Sequence, residues 1–437
     1  MRILLLGEYS NVHATLADGL RALGHEVTVV SNGDFWKDYP RDIDVSRRSG
    51  KLGGIALMAK VLTLLPRLRG YDIVQLINPM FLELKAERLR YIYRYLRRHN
   101  RCMVLGAFGM DYYWVHENIT RRPLRYSDFN IGTTIRNDEA ALKERRDWLG
   151  TTSLLPSEAT LLSSEATLSS TDATLLSSGA TLPSTDATLL SSDATLPSSG
   201  ATLPPKGRLS RFIARDCDAI VCGLYEYWAV YHPLFPAKTS FIPFPIKLPA
   251  EPTEKSFAVG PSGLPSQTPP PLCLFIGISR ARSAYKGTDI MLRAARALQQ
   301  RYPTRVELRV AEGVPFVKYV RMMQGADAIL DQLYSYTPSM NPLEAMAHGI
   351  ICIGGGEPEN YAILGDTDLK PIVNVLPTYD SVYHELEQLV LHPDRIAILK
   401  AQSVEYIRRY HDYNKVAQQY LDFYNKLLCN VPNADRA

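Results

Sequence analysis

Continuous apolar runs and apolar positions at helical spacing alternate along most of this chain. Arg2–Leu6 reads as a buried strand, Val12–Leu23 as a helix stopped by Gly24, and Glu26–Val30 as the next strand. Asp72–Ile77 predicts another strand. A helical region follows through Arg98, and then comes the buried strand Cys102–Ala107. The pattern resumes at Ala219–Val221. A second series runs strand Leu272–Ile276, helix Asp289–Gln300, strand Arg305–Val310, helix Phe316–Gln324 and strand Ala328–Leu330. One long helix rich in Tyr is expected over Ile396–Leu428. Repetition of strand, helix and strand predicts an α/β protein with two parallel, doubly wound sheets. Ligands of such sheets bind beyond the carboxyl ends of the strands, here in the cleft between the halves.

Two stretches interrupt the alternation. Residues 157–205 are seven consecutive seven-residue units, SEATLLS, SEATLSS, TDATLLS, SGATLPS, TDATLLS, SDATLPS and SGATLPP. They are rich in Ser and Thr, several hold Pro, and each has few strongly apolar positions. Such a segment buries too little to offset its ordering entropy, so a disordered insertion is expected, with a glycosylated or adhesive stalk as the other reading. Residues 249–271 contain GPSGLPSQTPPP and read as a linker. The expected division is therefore 1–248, the linker 249–271, 272–400, and a final helix and tail over 401–437.

At 437 residues, 46% hydrophobic and 22% charged, the chain has room for two full cores. Its net charge is +4; five acids and no base lie within 157–205, which leaves the remainder at +9. That is compatible with anionic substrates and too weak to argue for nucleic acid. The six cysteines never form Cys-x-x-Cys, so neither a zinc site nor a disulfide framework is expected, and a reducing, cytoplasmic setting is. The opening MRILLLGEYS is too briefly apolar for a signal peptide.

The stretch most suggestive of chemistry is PSMNPLEAMAHGIICIGGGEPE, residues 338–359. Asn341 is the expected N-cap, Pro342 the first helical residue and Gly349 the stop. Ile350–Ile353 reads as a strand, and Gly354–Gly356 as a turn that lets backbone approach a ligand. A helix start of this kind favours an anion such as a diphosphate. Glu344, three residues after Asn341, either completes a capping box or accepts hydrogen bonds from ribose hydroxyls. In FIGISRARSAYKG, residues 275–287, a strand ends in Arg280, Arg282 and Lys286, either a solvated basic loop or a diphosphate site. In GEYSNVHATLADGLRALGHEV, residues 7–27, His13 stands at a helix start, either a polar residue near a cap or a group bordering the cleft.

Together these segments resemble the GT-B glycosyltransferases, most closely the retaining family 4. The loop, His13, the Leu-rich helix and GHEV match its N-terminal signature, and ADAIL–PLEAMAHG–GGGEPE, residues 326–359, matches its donor-binding signature. The resemblance covers nearly the whole chain apart from the repeat and linker. It implies two Rossmann-like domains facing across a cleft, with the C-terminal helix packing back toward the first. It also implies a nucleotide-diphosphate sugar as co-substrate, with no further cofactor and no metal. Glu344 would contact the ribose, Arg280 or Arg282 with Lys286 the diphosphate, and the backbone of Ser339, Met340 and Asn341 the phosphate or sugar. Glu359 would sit near the sugar, and His13 would border the acceptor cleft. Two positions depart from the pattern. The expected partner of Glu344 in a pair of glutamates is Tyr336, on the donor-sugar side. A His-Gly-x-Asp motif is represented by Phe108-Gly109-Met110-Asp111, in which Asp111 either orients sugar or acceptor or caps the following helix.

The implied reaction moves a sugar to a hydroxyl of a saccharide or lipid-linked acceptor, in surface polysaccharide or glycolipid synthesis. Its rivals are an inactive nucleotide-sugar-binding scaffold and an epimerase or phosphorylase on the same fold. Asp-x-Asp strings at 42–44, 216–218 and 366–368 read as incidental. Lys51–Arg69 and Arg88–Arg101 mix bases with apolar residues. They read either as a peripheral contact for the inner face of a membrane or as ordinary amphipathic helices.

Overall fold

The computed structural model describes residues 1–150, 203–249, 270–366 and 368–430. The first unit contains β1 (Arg2–Leu6), α1 (Val12–Ala22), β2 (Glu26–Ser31), β3 (Ile43–Asp44), α2 (Gly50–Leu64), β4 (Ile73–Leu76), α3 (Ala86–His99) and β5 (Cys102–Ala107). It continues with α4 (Tyr112–Thr120), the short antiparallel pair β6 (Asn130–Ile131) and β7 (Thr134–Ile135), and α5 (Glu139–Leu149). After the repeat come α6 (Pro205–Asp216), β8 (Ala219–Cys222), α7 (Tyr225–Tyr231) and β9 (Thr239–Phe241). The second unit has β10 (Leu272–Ile278), α8 (Ser283–Lys286), α9 (Thr288–Arg301), β11 (Val306–Glu312), α10 (Phe316–Met323), β12 (Ala328–Leu330), α11 (Met340–Ala347) and β13 (Ile351–Gly354). It ends with α12 (Pro358–Leu364), β14 (Val373–Asn374), α13 (Tyr379–Leu391) and α14 (Asp394–Tyr406), and α15 (Tyr413–Asn430) follows.

Each unit is built on one parallel sheet. The orders are β3-β2-β1-β4-β5-β8-β9 and β11-β10-β12-β13-β14. β4, β5, β8, β12 and β13 are buried at every position, as expected of parallel strands covered on both faces by helices. Strand order reverses between β1 and β4 in the first sheet and between β10 and β12 in the second. Loops diverge at such reversals and leave a crevice, so the segments after these strands are where a ligand fits.

Four sequence expectations are corrected. The tail is not one helix. α14 gives way to a π turn at Ile407–His411, and α15 then departs to cover the first sheet. The break lets the chain cross between units: Ile246 donates its amide to His411 O at 2.7 Å, and Tyr413 donates to Ile246 O at 3.0 Å. α11 starts earlier than expected. Its N-cap is Ser339, so Asn341 and Pro342 lie inside the first turn and Glu344 completes no capping box. The close approach that Gly354–Gly356 admit is that of the chain itself: a Cβ on Gly355 would lie 2.0 Å from Ser335 O, and one on Gly356 2.8 Å from Ile372. Pro204 and Pro205, the last residues of the final repeat unit, are the N-cap and first residue of α6. The remaining expectations for the repeat and linker fall outside the described residues.

α15 closes the first unit by burying Val416, Ala417, Tyr420 and Tyr424, the tyrosines completely. Each such ring removes roughly 150–250 Å² from water. The approach to α1 depends on Gly19, where a Cβ would stand 2.6 Å from Ala417 Cβ and 2.8 Å from Tyr413 O. Gly19→Val is therefore expected to lower stability by about 1–3 kcal/mol, read as a lower urea midpoint. An unchanged midpoint would show that α15 is not held against α1.

Candidate functional site

The loop after β1 turns through Ser10 and Asn11, both in the left-handed region, to start α1. Glu8 occupies the helix N-terminus from within: its two carboxylate oxygens accept the amides of His13 at 3.2 Å and Ala14 at 2.8 Å. Burial pushes Glu8 up to about 8 despite these bonds. His13 is completely buried. Its Nδ1 donates to Gly7 O at 2.8 Å, and its Nε2 accepts from Gln75 Nε2 at 3.2 Å. This polarity follows from Gln75, whose Oε1 accepts the Tyr424 hydroxyl at 2.8 Å. Burial holds the imidazole down at about 4, so His13 is neutral and positions the loop from below.

Asp111 is also fully buried and caps α4. It accepts the Trp114 amide at 2.8 Å and the Tyr231 hydroxyl, and burial raises it to about 6. Both oxygens thus have protein partners. Phe108 packs edge-on between His13 and Phe244. In front of β1, β4 and β5 lies a cavity of about 820 Å³ lined by Tyr9, Ile77, Phe81, Met110, Trp148 and Arg47, among others.

Across the cleft, three loops of the second unit converge on Asp331, which follows β12. Lys286 Nζ stands 3.9 Å from Asp331 Oδ1, which also accepts Asn341 Nδ2 at 3.1 Å. Ser339 donates its hydroxyl to Asp331 Oδ2 at 3.1 Å and accepts from Gln332 Nε2 at 3.0 Å. With its side chain so engaged, Ser339 makes no cap bond, and no side chain caps the amides of Met340 and Asn341. Glu344 is partly buried and its carboxyl is raised by burial, partly offset by Lys37 of the first unit. Lys37 also bonds Ser10 Oγ at 3.1 Å and Asp34 at 2.6 Å. Tyr39 and Phe316 meet edge to face across the cleft, with centroids 6.0 Å apart. The two arginines separate: Arg280, 87% exposed, pairs with Glu312, whereas Arg282 lies 5.3 Å from the Tyr285 ring centroid.

Tyr336 is covered by the first unit, and Glu359 is paired with it at the edge. Tyr336 is 1% exposed and lies among Tyr126, Tyr225 and Arg125. Its hydroxyl accepts the Arg125 amide at 2.6 Å. The Arg125 guanidinium reaches Glu359 at 2.5 Å and Glu357 at 2.6 Å, and Tyr126 donates its hydroxyl to Glu357. Burial works to raise Glu359, but the Arg125 bonds prevail and hold it below the usual carboxylate range. Arg136 donates to the carbonyls of Ala284 and Tyr285 at 2.7 and 3.0 Å and stacks 3.7 Å from the Tyr334 centroid. Glu226, on α7, accepts the amides of Tyr336 at 2.7 Å and Thr337 at 2.9 Å, with the Ser335 and Thr337 hydroxyls.

No family model and no curated protein matches the chain. Among solved structures, sucrose-phosphate synthase from Thermosynechococcus elongatus is similar with a TM-score of 0.53 at 13% identity, covering 98% of this chain and 100% of that one. The chain has the GT-B fold. Anabaena HepE in complex with UDP and glucose gives 0.49 at 11% identity, covering 98% and 100% of the two chains. UDP-GlcNAc 2-epimerase from Neisseria meningitidis bound to UDP-GlcNAc gives 0.48 at 10%, with the same coverage. At such identities the likeness is one of fold.

Within that GT-B frame, Arg125, Arg136, Glu226 and Lys37 are the cleft residues that sequence reading passed over. The stretch RRPLRYSDFNIGTTIRND between α4 and α5 carries one signal: it is long for a helix–helix connection and has neither helical nor strand period. The Asp-x-Asp strings are structural. Asp216 and Asp218 pair with Arg97, Asp42 with Arg21, Asp44 with Arg41, and Asp366 with Tyr410.

A histidine held at about 4 when folded, against 6.5 ordinarily, takes up its proton later than in the unfolded chain. Its stability contribution is whole above pH 6.5 and drains as pH falls toward 4. His13→Gln is expected to make the urea midpoint fall less steeply over that window than in the parent; equal slopes would mean that His13 is hydrated. For the clamp, Arg125→Ala is expected to speed amide exchange in residues 333–337 and 355–361 while β1, β4 and β5 stay protected. Unchanged exchange would mean that Arg125 does not hold the two loops.

Proposed function

We propose that this chain transfers a sugar from a nucleotide-diphosphate sugar to an acceptor hydroxyl across the cleft. One observation carries the reading: the N-terminus of α11 has its cap residue turned aside, with Lys286 and Glu344 on either side. Two backbone amides and an ammonium form a ready anion site, and the helix dipole adds to it. A diphosphate there would draw Lys286 from Asp331 and take Arg282 as its second cation. Glu344 would accept from ribose hydroxyls, and Tyr39 and Phe316 would frame the base. The acceptor would enter the cavity in front of β1, β4 and β5. As the bond to the anomeric carbon lengthens, negative charge grows on the diphosphate. The fixed cations and helix terminus stabilise that charge more in the transition state than in the ground state. His13 and Asp111 would act by positioning the loops that shape the acceptor side. Retention of configuration rests on the resemblance to family 4.

A second reading has its own support. Arg125, Tyr126 and Tyr336 fill the side on which the donor sugar would sit, as expected of a scaffold that binds nucleotide sugars without turnover. Calorimetric titration with UDP, GDP, ADP, TDP and CMP tests both. One nucleotide is expected to bind, and Glu344→Ala to weaken it about tenfold or more through the lost hydrogen bonds. No binding of any nucleotide to folded parent would remove both readings. Binding with neither transfer nor isomerisation of the matching sugar nucleotide, across a panel of acceptors, would favour the scaffold.

A further inference from the structure

Two concavities of the first unit meet. The cavity of about 820 Å³ in front of the sheet shares Ala86, Glu87 and Pro205 with a groove of about 360 Å³ between α3 and α6. The groove therefore continues the cavity outward. It is lined by Arg90, Arg94 and Arg208, with Tyr91 and Glu87. All three arginines are exposed, and among the described residues no carboxylate pairs with any of them. Arg90 and Arg94 are one helical turn apart and converge on a single ring, with guanidinium carbons 4.7 and 5.5 Å from the Phe212 centroid. Arg208 is fixed from the other wall by a bond to Leu203 O at 2.6 Å.

Like charges at this helical spacing repel, and here Glu87 is the one acid in the groove lining. Stacking on Phe212 restricts both side chains before any ligand arrives, which lowers the ordering cost of binding. Guanidinium forks match the tetrahedral oxygens of phosphate. We infer that the arginine groove between α3 and α6 is the anion subsite of the acceptor cavity, holding a phosphate or diphosphate group of the acceptor. This rests on the reading of the larger cavity as the acceptor site. It assigns that substrate a class: a phosphorylated molecule whose reacting hydroxyl lies inward, toward β1, β4 and β5, and whose anionic group lies outward.

The test uses the full chain saturated with whichever nucleotide diphosphate it binds, so that the donor side is filled. Inorganic pyrophosphate is titrated into the parent, into the triple variant Arg90→Gln, Arg94→Gln, Arg208→Gln, and into the matching triple lysine variant. The parent is expected to bind. The glutamine variant should lose about tenfold or more in affinity, the lysine variant less, with nucleotide affinity unchanged in both. Parallel co-sedimentation uses phosphatidylcholine vesicles with and without phosphatidic acid. Binding only to the phosphatidic acid vesicles, lost with glutamine, would assign the phosphate to a lipid. Pyrophosphate binding without vesicle binding would assign it to a soluble acceptor. If the parent binds neither probe, or the glutamine variant binds as well as the parent, the groove is not an anion subsite, whatever the nucleotide result. If no nucleotide binds, the same comparison on unliganded protein still decides the groove while the donor reading falls alone.

Discussion

A buried carboxylate must find hydrogen-bond donors or give up its charge, and Glu226 finds its donors in the other half of the molecule. Three consecutive residues, Ser335, Tyr336 and Thr337, turn their amides or hydroxyls toward it. That fixes the loop after β12, and with it the start of α11 and the face of Tyr336. Gly355 then has to be glycine, because Ser335 O lies where its side chain would be. Removing one member of such a buried set leaves a partner unsatisfied, a loss of about 1–3 kcal/mol for each group so left. The geometry of the start of α11 therefore depends on a residue of the first unit.

The aromatic residues at two departures from the family 4 pattern belong to the same arrangement. Phe108 fills the space between His13 and Phe244, and Tyr336 is enclosed by Tyr126, Tyr225 and Arg125. Where the pattern has groups that can bond a sugar, this chain has rings that pack against its own first unit. Lys286 and the α11 start, which no side chain caps, are not covered in this way. The two ends of the cleft thus differ in character: under the proposed function one is left for an anion, and the other is filled by the protein's own side chains.

Much of the fold was legible because parallel strands covered on both faces are almost uniformly apolar. Cys102–Ala107 and Ala328–Leu330 were readable to the residue for that reason. The start of α11 was not: Asn341-Pro342 is a strong local signal, but Asn341 bonds Asp331 and Ser339 sets the cap position. The tail misled because helical period continues through residues 407–412, where the chain has to change units. In the candidate site, the placing of Lys286 just after a strand end and of Ser339 and Asn341 at a helix start was legible, because strand ends and helix starts leave local signals. Arg125 and Glu226 were not, since each acts on residues more than a hundred positions away and belongs to no local pattern. Asp111 was legible only as a choice between two roles; the structure gives it a cap.

The short exchange of backbone bonds at Ile246 has a mechanical consequence. The chain leaves the first unit just after Ile246 and comes back at Asp412, and there the outgoing and returning strands are stitched to each other by bonds to His411 and Tyr413. His411, buried, adds a third stitch to Phe244 O. Two covalent crossings fastened at one point act as a single tie: load applied to either unit passes through backbone bonds shared by both crossings, so neither crossing can lengthen or slip without the other.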